Sequence, residues 1–139
     1  EHPTIDVLGF TISEPVTMLT DIILAVFCFY FYRRVIACRS TMRGKQYFAW
    51  FFLSMSFCTF LGGVMGHGLL PYFGAVGKYP ARILTIVTMF WLQLAVIDIL
   101  VGKVSERFIL ILQIISVVMV PIFMALAFIK NHFSYAIFH

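Results

Sequence analysis

Four ionisable side chains interrupt apolar stretches of this chain: Glu14, Asp21, His67 and Asp98. Charged groups inside membrane spans are costly and face protein or water when they occur. Glu14 and Asp21 are seven residues apart, with Thr17 between them. On a helix that spacing puts them on one face, about 10 Å apart along the axis. Two carboxylates so placed can line an outward cavity as a general base, an ion site or metal ligands. The alternative is that Asp21 bonds a hydroxyl or amide of a neighbouring helix. His67 lies near the end of a run, residues 46–77, that holds no Asp, Glu, Lys or Arg. Gly63, Thr59 and Ser56 lie behind it on a small, polar face, and Gly62 and Gly66 form a small-xxx-small pair. Such pairs let helices approach closely, so His67 is expected to face protein, at the depth of Glu14 and Asp21. An acid of the first span should then lie within hydrogen-bond reach of His67, directly or through one water, and could orient its ring. The competing expectation is an interfacial histidine bonded to a backbone carbonyl freed by the Gly and Pro that follow. Glu14, Asp21 and His67 are thus the candidate catalytic residues, and His67 the candidate metal ligand.

Asp98 belongs elsewhere. About 24 Å of helix separates it from Arg82, so it cannot share a site with His67. It lies at the level of Lys103, Arg107 and the Arg33–Arg34 pair, and a structural ion pair with Arg107 is expected. Gln93, Gln113 and Ser116 are expected to hydrogen-bond between helices. His132 and His139 could share a helical face, but they are too few and too terminal to argue a metal site, or a haem, alone. No Gly-x-Ser-x-Gly, phosphate loop or His-Glu-x-x-His motif is present.

The elements that must carry these residues follow from composition. The 139 residues are 62% hydrophobic, 17% aromatic and 12% charged, with a mean hydropathy of +1.00. That excludes an ordinary soluble domain and a disordered one. A bilayer core roughly 30 Å thick needs about 20 apolar residues of helix. Four such spans are expected, at about 16–36, 46–70, 82–101 and 107–129, forming an all-α polytopic bundle and a single membrane domain. Residues 1–12 read as a mildly acidic lead, and residues 1–10 lack the basic start and apolar core of a signal peptide. Ser13, Glu14 and Pro15 read as a helix start with Ser13 as the cap. Pro71, Gly74, Gly77 and Pro80 mark a loop. Pro121 should kink the fourth span or leave a local gap in its hydrogen bonds. His132–His139 reads as an aromatic stub that could begin another span. The runs exceed strand length and do not alternate, and a barrel would need many more segments. Cys28, Cys38 and Cys58 show no disulfide or metal spacing and are expected as free thiols.

Net charge is +4. The positive residues sit beside spans instead of covering a face, which argues against a nucleic-acid partner and for membrane lipids. Arg33, Arg34, Arg39, Arg43, Lys45, Lys103 and Arg107 flank the first and third loops, against Lys78, Arg82 and Lys130 on the other side. This asymmetry places the first and third loops on the cytoplasmic side and the N-terminus outside.

Two segments carry a resemblance. Residues 12–21 read Ile-Ser-Glu-Pro-Val-Thr-Met-Leu-Thr-Asp, and residues 61–69 read Leu-Gly-Gly-Val-Met-Gly-His-Gly-Leu. Together they resemble a family of uncharacterised multi-pass membrane proteins with a Ser-Glu-Pro start and a Gly-Gly…His-Gly end to the first two spans. More remotely the chain is similar to the alkaline ceramidase and adiponectin-receptor superfamily of seven-span zinc hydrolases. That likeness implies zinc on His67, with Glu14 or Asp21 as an accompanying acid. The departures are Gly63, where those enzymes have serine, and the lack of a His-x-x-x-His pair. Either the bundle is part of a larger one or the metal site is missing. The expected function is a non-catalytic subunit or scaffold of a larger membrane assembly, with other membrane subunits as partners. The alternatives are a zinc-dependent intramembrane lipid hydrolase and a carrier or proton pathway.

Overall fold

A computed structural model describes residues 3–7, 9–39 and 41–137, with side chains described as far as Ala127 except those of Val7 and Ala75. Among the described residues four helical segments are long and apolar enough to cross a bilayer: Pro15–Ala37, Lys45–Gly68, Val76–Leu100 and Glu106–Ala127. This is the polytopic helical bundle of an integral membrane protein. Helix α1 (Pro15–Ala37) packs on α2 (Lys45–Leu61), α2 packs on α4 (Tyr79–Leu100), and α4 packs on α5 (Glu106–Ile137). The short helix α3 (Leu70–Phe73) lies between α2 and α4 in sequence.

The interfaces are built from small side chains. Ala25, Cys28, Ala49, Cys58, Thr88, Ala95 and Ser116 are all buried, with Ile97 a large side chain among them, whereas most large apolar residues face outward along every span. This is the pattern expected where lipid removes the hydrophobic drive between helices and close backbone approach supplies the attraction. Polar links reinforce it. Ser56 Oγ donates to the Ala25 carbonyl across α1 and α2 at 2.8 Å. Cys58 Sγ lies 3.2 Å from the Ala81 carbonyl oxygen and 3.1 Å from Thr85 Oγ1 across α2 and α4. All three cysteines are free.

Several local expectations need correction. The acidic lead is a β-hairpin, β1 (Thr4–Val7) and β2 (Phe10–Ser13), paired antiparallel with Thr4 opposite Ser13 and Val7 opposite Phe10. Ser13 therefore ends a strand and is not the helix cap; Glu14 takes that position. The second span is not α-helical throughout. Beyond Leu61 it widens into a π-helical segment, Gly62–Gly68, with i→i+5 bonding. The expected loop is mostly helical, with α3 followed by a 3₁₀ turn over Gly74–Lys78. Helix α5 continues past Pro121 to Ile137, so His132 lies within α5 and does not begin a new helix.

At one end of the bundle the basic residues close helix termini. Lys45 Nζ donates to the carbonyls of Cys38 and, at 3.4 Å, Ile36, at the end of α1. Arg43 Nη1 donates to the Val101 carbonyl at the end of α4 at 3.3 Å. The last carbonyls of a helix lack partners and carry partial negative charge, so cations belong there. The opposite end is covered by the hairpin. Thr11 N–H donates to the Tyr72 hydroxyl at 3.1 Å, and the Phe10 ring meets the Tyr72 ring edge-on at 6.3 Å.

Candidate functional site

Glu14 is the only non-glycine residue among those described with a positive φ, at φ 47° and ψ 54°. A side chain in this left-handed region costs about 1–2 kcal/mol. The strand before it and the helix after it impose the conformation. Its N–H donates to the Pro3 carbonyl at 2.8 Å, closing the hairpin, while its carbonyl accepts the Met18 N–H at 3.0 Å, opening α1. Pro15 then starts the helix with no donor to leave unpaired. The backbone reversal swings the Glu14 side chain back toward the second span.

The second span meets it through glycine. A Cβ on Gly63 would lie 2.7 Å from the Asp21 Cβ and 3.1 Å from the Met18 carbonyl oxygen, and one on Gly68 would collide with the Met18 side chain. Only hydrogens fit there, so the first turns of α1 rest directly on the π-helical segment. Gly62 and Gly66 face the other way, toward Ala81 and Lys78. Segments of π-helix are uncommon and concentrate at functional sites.

Between these elements His67 Nδ1 lies 2.6 Å from Glu14 Oε2. Both side chains are sheltered, with 29% of the His67 and 16% of the Glu14 side chain exposed. The expected contact between His67 and an acid of the first span is therefore direct and needs no bridging water. When Glu14 is ionised its carboxylate accepts, so Nδ1 carries the hydrogen and Nε2 is the nitrogen that can take up or release a proton. No hydrogen-bond partner of Nε2 occurs among the described residues.

Asp21 does not join the pair. It packs against Gly63 and has no hydrogen bond among the described residues, so the interhelical bond expected of Asp21 does not form among them. Among the described residues no group of three His, Cys, Asp or Glu could hold a metal ion. Zinc in a catalytic site takes three protein ligands and an open position, so the described residues do not fit a zinc centre on His67. The side chain of His132 and all of His139 lie outside the described residues.

Asp98 is a correction. Its Oδ2 accepts the Gly44 N–H at 2.5 Å and makes no ion pair with Arg107 among the described residues. Gly44 opens α2 at φ 76°, and a Cβ there would sit 2.7 Å from the Ala95 carbonyl oxygen. The carboxylate thus satisfies one of the orphan donors of a helix N-terminus. The expected polar bridges also differ. Ser116 is buried but donates within α5, to the Leu112 carbonyl at 2.9 Å. Gln93 and Gln113 are exposed and make no hydrogen bond among the described residues.

A model of a family of unknown function matches residues 16–139. The chain belongs to the DUF6962 family. The matched part of this DUF6962 protein contains Asp21 and His67; the hairpin and Glu14 precede it. No curated protein and no solved structure matches the chain.

Proposed function

We propose that this DUF6962 protein is a helical subunit of a larger membrane assembly, to which it contributes the Glu14–His67 pair. The observation that carries this reading is the state of Gln93 and Gln113. Each lies seven residues from the turn joining α4 and α5, about 10 Å deep along its helix. Each is exposed and makes no hydrogen bond among the described residues. An amide facing lipid is poorly satisfied, and a neighbouring transmembrane helix with its own polar group relieves that cost. The surroundings support the same reading. Only 6% of the most apolar stretch of α5 is buried, against 22% for Lys45–Gly68. The occupant is a span of another subunit with a hydrogen-bonding side chain at that depth. Loops rich in Arg and Lys lie on the cytoplasmic side and the hairpin outside, by the charge asymmetry described above. Photo-crosslinking from position 113 in native membranes tests this. A discrete protein adduct, lost when the probe moves to Arg33 at the end of α1, is the expected result. Adducts with lipid alone would overturn it.

A second reading is favoured by the directness of the Glu14–His67 contact, 2.6 Å between sheltered groups on a strained backbone. Strain of this kind clusters where a side chain is held for a purpose. In this reading the pair binds and relays a proton within the assembly. Proton flux into vesicles holding the complete assembly, compared between wild type and Glu14→Gln, separates it from a purely structural pair.

A further inference from the structure

At the end of the bundle opposite Glu14 and His67 lies an open cavity of about 810 Å³. Arg43, Lys45 and Asp98 supply its charged lining, and Tyr47, Trp50 and Trp91 its aromatic wall. The rings form a continuous stack, with Trp91 6.2 Å from both Tyr47 and Trp50. We propose that this cavity binds an anionic phospholipid, its phosphate between Arg43 and Lys45 and an acyl chain along Trp50 and Trp91.

Three observations carry the assignment. First, the cations are fixed but not exhausted. Arg43 uses one contact on the Val101 carbonyl and Lys45 two on the carbonyls of Ile36 and Cys38. A guanidinium has five N–H groups and an ammonium three, so donors remain on both for a phosphate. Second, the one acid in the lining is committed, since Asp98 accepts the Gly44 N–H. Third, the cavity is amphipathic along its length. Its cationic part is the turn before α2, whereas Trp91 stands nine residues before Leu100, about 14 Å into the span. A free phosphate would use only the first part. A lipid spans both. Basic pockets between helices at a membrane surface bind anionic headgroups in this manner.

The chain has two tryptophans, and both line this cavity; Trp50 is also 44% exposed and meets the bulk lipid, so the cavity's contribution is the difference between an anionic and a zwitterionic quencher. The full chain would be placed in phosphatidylcholine nanodiscs containing phosphatidylglycerol with brominated, quenching acyl chains. Brominated phosphatidylcholine at the same mole fraction is the comparison. The expected result is an enrichment of the anionic lipid of about fivefold, with quenching that saturates at low mole fraction. Arg43→Gln with Lys45→Gln should abolish the preference, and Arg33→Gln with Arg34→Gln should leave it. Because Arg43 and Lys45 also close helix ends, saturation in the wild type is the measurement that needs no variant. Quenching that rises in proportion to mole fraction, or equally for both lipids, would overturn the proposal. So would relief of quenching by inorganic phosphate in the buffer, which would mark a free-anion site.

Discussion

Glu14 and His67 are 53 positions apart in sequence and 2.6 Å apart in space, a carboxylate oxygen against an imidazole nitrogen. A β-hairpin turns into a helix at one, and an α-helix loosens into a π-helix at the other. Truncating Glu14 removes the one hydrogen-bond partner that His67 has among the described residues, in a sheltered position, and truncating His67 removes the same contact from Glu14. A buried polar group without a partner costs about 1–3 kcal/mol. Glu14→Ala and His67→Ala should each destabilise the protein by about that much, and the double variant by clearly less than their sum. Chemical denaturation in detergent micelles measures this. Additive losses would show that the contact contributes no coupling.

The conformation of Glu14 separates backbone from side chain. At φ 47°, Asn is better tolerated than Ala. Glu14→Asn should therefore be more stable than Glu14→Ala by about 0.5–1 kcal/mol, although both lose the bond to His67. Equal stabilities would mean that the hairpin-to-helix junction relaxes out of the left-handed region.

Gly63 sets the distance between the first two spans. Gly63→Ala puts a methyl group 2.7 Å from the Asp21 Cβ and 3.1 Å from a carbonyl oxygen, which forces α1 away. The expected cost is about 1–3 kcal/mol. The signature is separation of Glu14 from His67, seen as a changed His67 imidazole resonance in ¹⁵N NMR. Gly62→Ala, in the same segment but facing Ala81, whose Cβ would lie at an ordinary 3.5 Å, should leave that resonance alone.

Asp98 holds the start of α2. Asp98→Asn keeps an acceptor for the Gly44 N–H and should cost less than Asp98→Leu, which leaves that donor unpaired. Both should spare the properties of His67, at the other end of the bundle. Melting temperature and the His67 resonance together check this. A shift of that resonance in either variant would contradict the separation of the two ends.

How far the fold was legible depended on the length scale of the signal. The spans were plain, because apolar runs of membrane length have one common explanation. The Glu14–His67 contact was legible from the small residues behind His67, a face that does meet α1 through Ser56 and Gly63. The hairpin was missed, although Ile5, Val7, Phe10 and Ile12 flank Leu8-Gly9 in the pattern of two short strands and a glycine turn. The π-helical segment had only the run of glycines over Gly62–Gly68 as its signal, and glycine-rich spans are commonly α-helical. The Asp98–Arg107 pair failed because charge proximity along the sequence ignored a nearer donor, the unpaired N–H that starts α2. Gln93 and Gln113 read as interhelical bridges from polarity alone; in this chain both are exposed and make no hydrogen bond among the described residues.

A partner span at Gln93 and Gln113 is the central claim, and the mass of the assembly tests it most directly. Membranes expressing the wild type and a Gln93→Leu, Gln113→Leu double variant would be solubilised in mild detergent and their particles weighed by light scattering. Leucine removes the amides but keeps the spans apolar, so each chain should still fold. The account predicts a wild-type particle larger than one chain and a double variant reduced toward the single chain. A wild type that is already a single chain, or a double variant that keeps the full mass, would contradict it.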